Sequence, residues 1–142
     1  MIKEIKMTYK IVTKYIKDLS FEIKDAKSYF LLEKNIKDFT VNFDIKSKKL
    51  NQNVIEVDTT LFLLSKKNTN FSPISICYSS VINIEKEIAK DELEKIIVIE
   101  VPKSVYPEVR SILVYLFEKS GFKNVNLEKE LDFEKLYRSR KI

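Results

Sequence analysis

The chain contains no histidine and no tryptophan, one glycine (Gly121), one cysteine (Cys77) and three prolines in 142 residues. Each shortage excludes a class of chemistry. Without histidine, the commonest general base and the commonest metal ligand are missing. A Ser-His-Asp hydrolase is ruled out by the same count. One cysteine and no histidine leave no ordinary zinc site. One glycine excludes both the P-loop and the dinucleotide fingerprint, which need several. A lone Cys77 forms no intrachain disulfide, in keeping with a reducing compartment. No apolar run approaches the ~18 residues of a transmembrane helix. The first residues, MIKEIKMTYK, lack the apolar stretch and small-residue cleavage site of a signal peptide. The expectation is a cytoplasmic protein without direct membrane insertion. A carboxylate or lysine enzyme remains possible in principle, but no such pair stands out from a chain that is 33% charged, so no enzyme activity, catalytic residue, cofactor or metal is expected.

Hydrophobic residues make up 44% of the chain, enough for one domain with a real core over residues 1–142. Residues 1–8 read as a flexible tail. The net charge is +5, which raises nucleic acid or acidic lipid as partners. The lysines, however, are dispersed among acids, and arginine occurs only at Arg110, Arg138 and Arg140. The densest basic cluster, Lys46, Lys48 and Lys49, falls in a predicted turn. Aromatic residues sit on alternating apolar faces, not among exposed basic ones, so no nucleic-acid partner is expected.

Tyr9 to Glu22 alternates with period two, the mark of a long half-buried strand. Tyr9, Ile11, Tyr15, Leu19, Phe21 and Ile23 face one way; Lys10, Lys14, Asp18, Ser20 and Glu22 face the other. After a polar connection, Lys24 to Ser28, a second strand is expected to start near Tyr29. It is clearest at Phe39, Val41, Phe43 and Ile45. Lys46 to Asn53 reads as a turn. The third strand is expected over about Val54 to Leu64, and the fourth over about Phe71 to Ile84 after a polar loop at Ser65 to Asn70. Pro73, lacking a ladder donor, should lie at an edge or a bulge. Short connections predict an antiparallel sheet in or near sequence order.

Helical signals come after the strands. Glu85 to Glu94 reads as a helical turn or two. KIIVIEV, Lys95 to Val101, is ambiguous: β-branched residues favour a strand, but Pro102 cuts it short. Pro107 fits the first turn of a helix over Glu108 to Ser120, capped by Gly121. Val105, Val109, Ile112, Leu113 and Leu116 form one apolar stripe, with Val114, Tyr115 and Phe117 opposite. A helix apolar on both sides needs two packing partners, the sheet and a second subunit. A short terminal helix is expected after Asp132 as N-cap, with Leu131 and Leu136 as a hydrophobic staple.

Four blocks resemble the SecB export chaperones. The first strand, with its YIKDLSFE, is similar to the family's first strand. Pro102-Lys-Ser-Val-Tyr-Pro-Glu-Val-Arg110 resembles the segment that opens its long helix. Gly121-Phe-Lys-Asn-Val-Asn-Leu127 is similar to the family's segment after that helix, and Leu131-Asp-Phe-Glu-Lys-Leu-Tyr137 to its terminal helix. Together they span Tyr9 to Tyr137. The resemblance implies an α+β fold: a four-stranded antiparallel sheet, then a long helix and a short C-terminal helix. It implies a homotetramer, a dimer of dimers, with helices sandwiched between dimers. It further implies ATP-independent binding of unfolded preproteins, kept translocation-competent for Sec-dependent export. The implied client-binding residues are Phe21, Phe39, Phe43, Ile97, Ile99, Val105 and Tyr106. The implied oligomer interface is Val109, Ile112, Leu113 and Leu116.

Docking to the motor SecA is implied through Asp18 and Glu22. The family's further acid in the fourth strand falls at Ser75 or a neighbour, where no acid stands, and its glycine pair is replaced by Ser79 and Ser80. SecB-like chaperones also serve toxin–antitoxin systems, and an antitoxin-dedicated chaperone is the alternative reading.

Overall fold

The computed structural model describes residues 8–65, 72–123, 125 and 127–140. The expected tail therefore lies almost wholly outside the described residues, as do most of the loop after Ser65 and Phe71. Four antiparallel strands form the sheet: β1 (Tyr9–Phe21), β2 (Phe39–Lys49), β3 (Val54–Ser65) and β4 (Ile74–Ile84). Their spatial order is β1-β4-β3-β2. The last three lie side by side in sequence order, as expected. The first does not: β1 pairs with β4, so the connection from β1 to β2 crosses the end of the sheet.

That connection corrects a second expectation. The chain from Tyr29 onward is not strand. Helix α1 (Ala26–Lys34) and a 3-10 turn (Ile36–Asp38) precede β2. Asp25 caps α1, its side chain accepting from the Ser28 amide at 2.7 Å. Leu32 is buried, with Tyr29 and Ile36 packed against the core. Pro73 also departs from expectation. It precedes a central strand, and its carbonyl accepts from the Glu22 amide at 3.1 Å. Placed one residue ahead of β4, it costs the ladder nothing.

Strand β1 does not alternate uniformly. Its pairing with β4 shifts between Ile11 and Thr13 and again between Ile16 and Asp18. Each bulge inserts one residue and reverses the facing of the residues after it. Tyr15, expected beside the core, therefore pairs with Ser79 on the opposite face. Its hydroxyl donates to Glu56 at 2.8 Å.

A continuous helix covers the other face. It comprises α2 (Lys90–Lys95), a π-helical segment (Ile96–Glu100) and α3 (Val101–Lys119). KIIVIEV is thus helix, not strand. Ile96, Val98 and Val101 are buried, and tertiary burial outweighs their weak helix preference. The Val101 amide donates to the Ile96 carbonyl, five residues back. This wider turn stands just ahead of Pro102, whose ring would crowd a carbonyl in an ordinary α-turn. Pro107 lies inside α3, not in its first turn.

Val101, Val105, Val109, Leu113 and Phe117 are buried at four-residue spacing. Phe117 therefore belongs to the inner stripe, not to the opposite side. The helix ends as a Schellman motif. Gly121 at φ +90° donates to Glu118, and Phe122 donates to Phe117. The Phe117 and Phe122 rings meet edge to face at 5.3 Å. Helix α4 (Phe133–Arg140) comes next, and Asp132 accepts from the Lys135 amide at 3.0 Å as the expected N-cap. Phe133 and Tyr137 are buried beneath it.

Candidate functional site

A cleft of about 600 Å³ opens between the long helix and the segment leading into α4. Ile99, Lys103, Tyr106 and Pro107 form one wall, and residues 129–134 form the other. Three contacts hold that second wall in place. The Tyr106 hydroxyl donates to the Glu128 carbonyl. Arg110 donates through Nε and Nη2 to the Leu127 carbonyl, at 3.2 and 3.1 Å. Burial pushes the Tyr106 hydroxyl pKa up, which keeps it a donor. Phe133 forms the floor, with its ring 4.5 Å from Phe43 on β2 and 6.3 Å from Tyr106. Lys103, Lys129, Glu130, Asp132 and Glu134 ring the mouth. An apolar floor under a mixed-charge rim suits an apolar side chain of a passing polypeptide.

The predicted client residues are only partly brought together. Ile99 and Tyr106 line the cleft, and Phe43 lies under its floor. Phe39 and Ile97 are half-buried and packed against the core. Val105 is fully buried, so its side chain belongs to the core and offers no groove surface; Tyr106 is nearly so, reaching the cleft by one edge. Phe21 lies far off, 5.4 Å from the Phe117 ring. It neighbours a second, smaller cleft of about 380 Å³ lined by Glu22, Ile23, Lys24, Ser28, Leu32, Ser72 and Pro73. Sequence reading assigns the Leu131–Phe133 wall only to packing; its signal is two apolar residues amid charged ones.

The predicted interface also divides. Val109 and Leu113 are buried against the chain's own sheet, whereas Ile112 and Leu116 are half-buried. Two ties fix α3 along β1. Lys14 Nζ pairs with Glu108 at 2.7 Å, and Phe21 meets Phe117. Between these ties, Ile16 and Leu19 of β1 stay exposed, and Tyr115 on α3 is 59% exposed. An uncovered apolar strip therefore runs beside the β1 edge. Glu108 also accepts from the Tyr78 hydroxyl. These bonds hold the Glu108 carboxyl below its ordinary value, while burial and Glu108 push the Tyr78 hydroxyl up to about 12.

The opposite sheet face carries Asp18, paired with Cys77, and Ser20, paired with Ser75. Further acids on this face are Glu56 and Asp58 on β3 and, by register, Asp44 on β2. Lys17, in the second bulge, binds Glu56 at 2.9 Å and Asp58 at 2.8 Å. Bonds from Lys17 and Tyr15 hold the Glu56 carboxyl below its usual range. Among the described residues, no group of three or more cysteine or acidic side chains is placed to hold a metal ion.

The family model described as preprotein translocase subunit SecB matches residues 3–142. The chain belongs to the SecB family. A putative protein-export protein SecB of Pelagibacter ubique is 34% identical over 134 residues, covering 93% of this chain and 96% of the relative. The protein-export protein SecB of Rhodospirillum centenum is 26% identical over 125 residues, covering 87% and 74%. Among solved structures, a SecB-like chaperone of Mycobacterium tuberculosis, in complex with an antitoxin peptide, superposes with a TM-score of 0.66. It shares 11% identity and covers 87% of this chain and 88% of that one, so it supports the fold. The four blocks of resemblance thus reflect family membership, and the protein is a SecB-like chaperone.

Proposed function

We propose that this SecB-family chain is an ATP-independent holdase that binds unfolded preproteins and keeps them translocation-competent for Sec-dependent export. The observation that carries this reading is the cleft between the long helix and residues 129–134, with Ile99, Tyr106 and Phe133 at its floor and wall. Client side chains entering it leave water, at about 25 cal/mol per Å² of apolar surface. The protein works in the cytoplasm as a homotetramer, a dimer of dimers. Its interface is the strip of Ile16, Leu19, Ile112, Tyr115 and Leu116, which is too apolar to face water in one run. Several weak clefts on one particle give avidity without sequence specificity. Asp18 and Glu22 make the SecA contact.

The test is light scattering of a chemically unfolded client diluted into buffer without nucleotide. A stoichiometric amount of this protein suppresses aggregation of several unrelated clients. Failure with all of them defeats the general holdase reading. A second reading, a chaperone dedicated to one antitoxin, is favoured by the bond network around Lys17. That network occupies two carboxylates on the face where SecA would dock. Under it, one client is protected and preproteins are not.

A further inference from the structure

Helix α1 exposes Phe30 at 64% and Leu31 at 53%. Its apolar residues Tyr29 and Leu32 already face the core, as does Ile36 just beyond it. At roughly 100° per residue, Lys27, Phe30, Leu31 and Lys34 share one outward arc. Lys24 before the helix and Lys37 after it extend the arc at either end. All four lysines are exposed, and none is in an ion pair among the described residues. Four acids lie near this arc, Glu22 and Asp25 beside Lys24, Glu33 on the helix and Asp38 after Lys37, so lysines and acids are equal in number there and the basic character comes from the outward placement of the lysines. Asp25 caps the helix, and Glu33 lies 2.9 Å from the Tyr29 hydroxyl. That hydroxyl also lies 2.9 Å from the Gly121 carbonyl, bringing exposed Lys119 and Lys123 to the same end of the molecule.

We propose that α1 docks this protein on an anionic lipid surface, with Phe30 and Leu31 in the headgroup region and the lysines against the phosphates. Two adjacent apolar residues inside one turn make a wedge for a fluid interface. A protein groove takes a longer stripe, with anchors at i, i+3 or i+4, and i+7. A second copy is disfavoured because a two-fold axis would set these lysines against their own kind. No described helix is long and apolar enough to cross a membrane, so the contact is interfacial. The inference stands independently of client holding.

Phe30→Trp gives the full chain its only tryptophan. This reporter is titrated with phosphatidylcholine vesicles, with and without phosphatidylserine. The expected result is a blue shift and co-sedimentation only with phosphatidylserine, reversed by salt. Each lysine near an anionic surface is worth about five-fold in partitioning, so Lys27→Gln with Lys34→Gln weakens binding about twenty-five-fold. Leu31→Ser weakens it about ten-fold. These side chains face outward, so circular dichroism and particle mass stay unchanged. Three results overturn the proposal: no phosphatidylserine-dependent shift, equal binding by the variants, or a tryptophan already blue-shifted without lipid because a second copy covers it. A shift with polyglutamate but not with vesicles also overturns it, in favour of an acidic polypeptide partner.

Discussion

Replacing Leu113 and replacing Tyr115 with aspartate should have opposite consequences, although both lie on α3 two residues apart. Leu113 is 2% exposed and packs within its own subunit. Truncating such a leucine costs about 2–5 kcal/mol. Aspartate adds the cost of burying or neutralising a carboxylate, several kcal/mol more. The sum rivals the whole stability of a domain this size, about 5–15 kcal/mol. Leu113→Asp should therefore leave an unfolded or aggregated chain, not a folded monomer.

Tyr115 instead points away from the sheet, and Lys119 Nζ lies 5.6 Å from the centre of its ring. Losing that contact costs the subunit about 0.5–1 kcal/mol. If the strip beside β1 is the interface, Tyr115→Asp gives a folded chain of lower mass. Sedimentation reports the mass, and urea unfolding followed by circular dichroism reports the fold. Measurements at several protein concentrations separate dissociation from unfolding. A folded Leu113→Asp chain that has merely lost partners, beside an intact Tyr115→Asp oligomer, would refute this assignment of the helix faces.

Other substitutions test the cap, the clasp and the sites. Gly121→Ala should destabilise the fold by about 1–2 kcal/mol, because φ is positive there. The new Cβ would also lie 3.0 Å from the Tyr29 hydroxyl. A lower urea midpoint with unchanged slope checks this. The Glu108 carboxyl is held below its ordinary 4.5 by bonds from Lys14 and Tyr78, so the clasp stabilises the fold above that value. Its contribution is lost as pH falls from 4.5 through the lower folded value, and Glu108→Gln should flatten that acid limb of an unfolding series. Ile99→Ser should raise the amount of protein needed to suppress client aggregation without shifting the urea midpoint much. Asp18→Lys with Glu22→Lys should abolish SecA binding in a pull-down while client holding persists.

Much of the fold is legible in the sequence because period-two alternation and turn chemistry act over a few residues. Strands β2, β3 and β4, the Gly121 cap and the Asp132 N-cap can be read from Phe39–Ile45, Val54–Leu64, one glycine and one aspartate. Helix α1 is harder to see, although Asp25 and the run Ala26–Lys34 offer a cap and good helix formers. Its apolar residues from Tyr29 onward run straight into the alternation of β2 and read as an extension of that strand. The cleft is half legible: Ile99 and Tyr106 stand out in the chain, but residues 129–134 reach it only through the Arg110 and Tyr106 bonds to a distant carbonyl pair.

What the chain determines by itself is the set of local elements, the absence of histidine chemistry, and the family pattern from Tyr9 to Tyr137. Only the tertiary structure decided that β1 lies beside β4, because strand order is set by burial across the sheet and not by neighbours in sequence. The bulge at Val12 turns Tyr15 to the opposite face, the bulge at Lys17 returns Leu19 and Phe21 to the helix side, and pairing with a distant strand creates both. KIIVIEV became helix because its β-branched side chains are buried between the sheet and α4. The two faces of α3 were likewise separated by contact with the sheet: the sequence is apolar on two sides, and only packing shows which of them water still reaches.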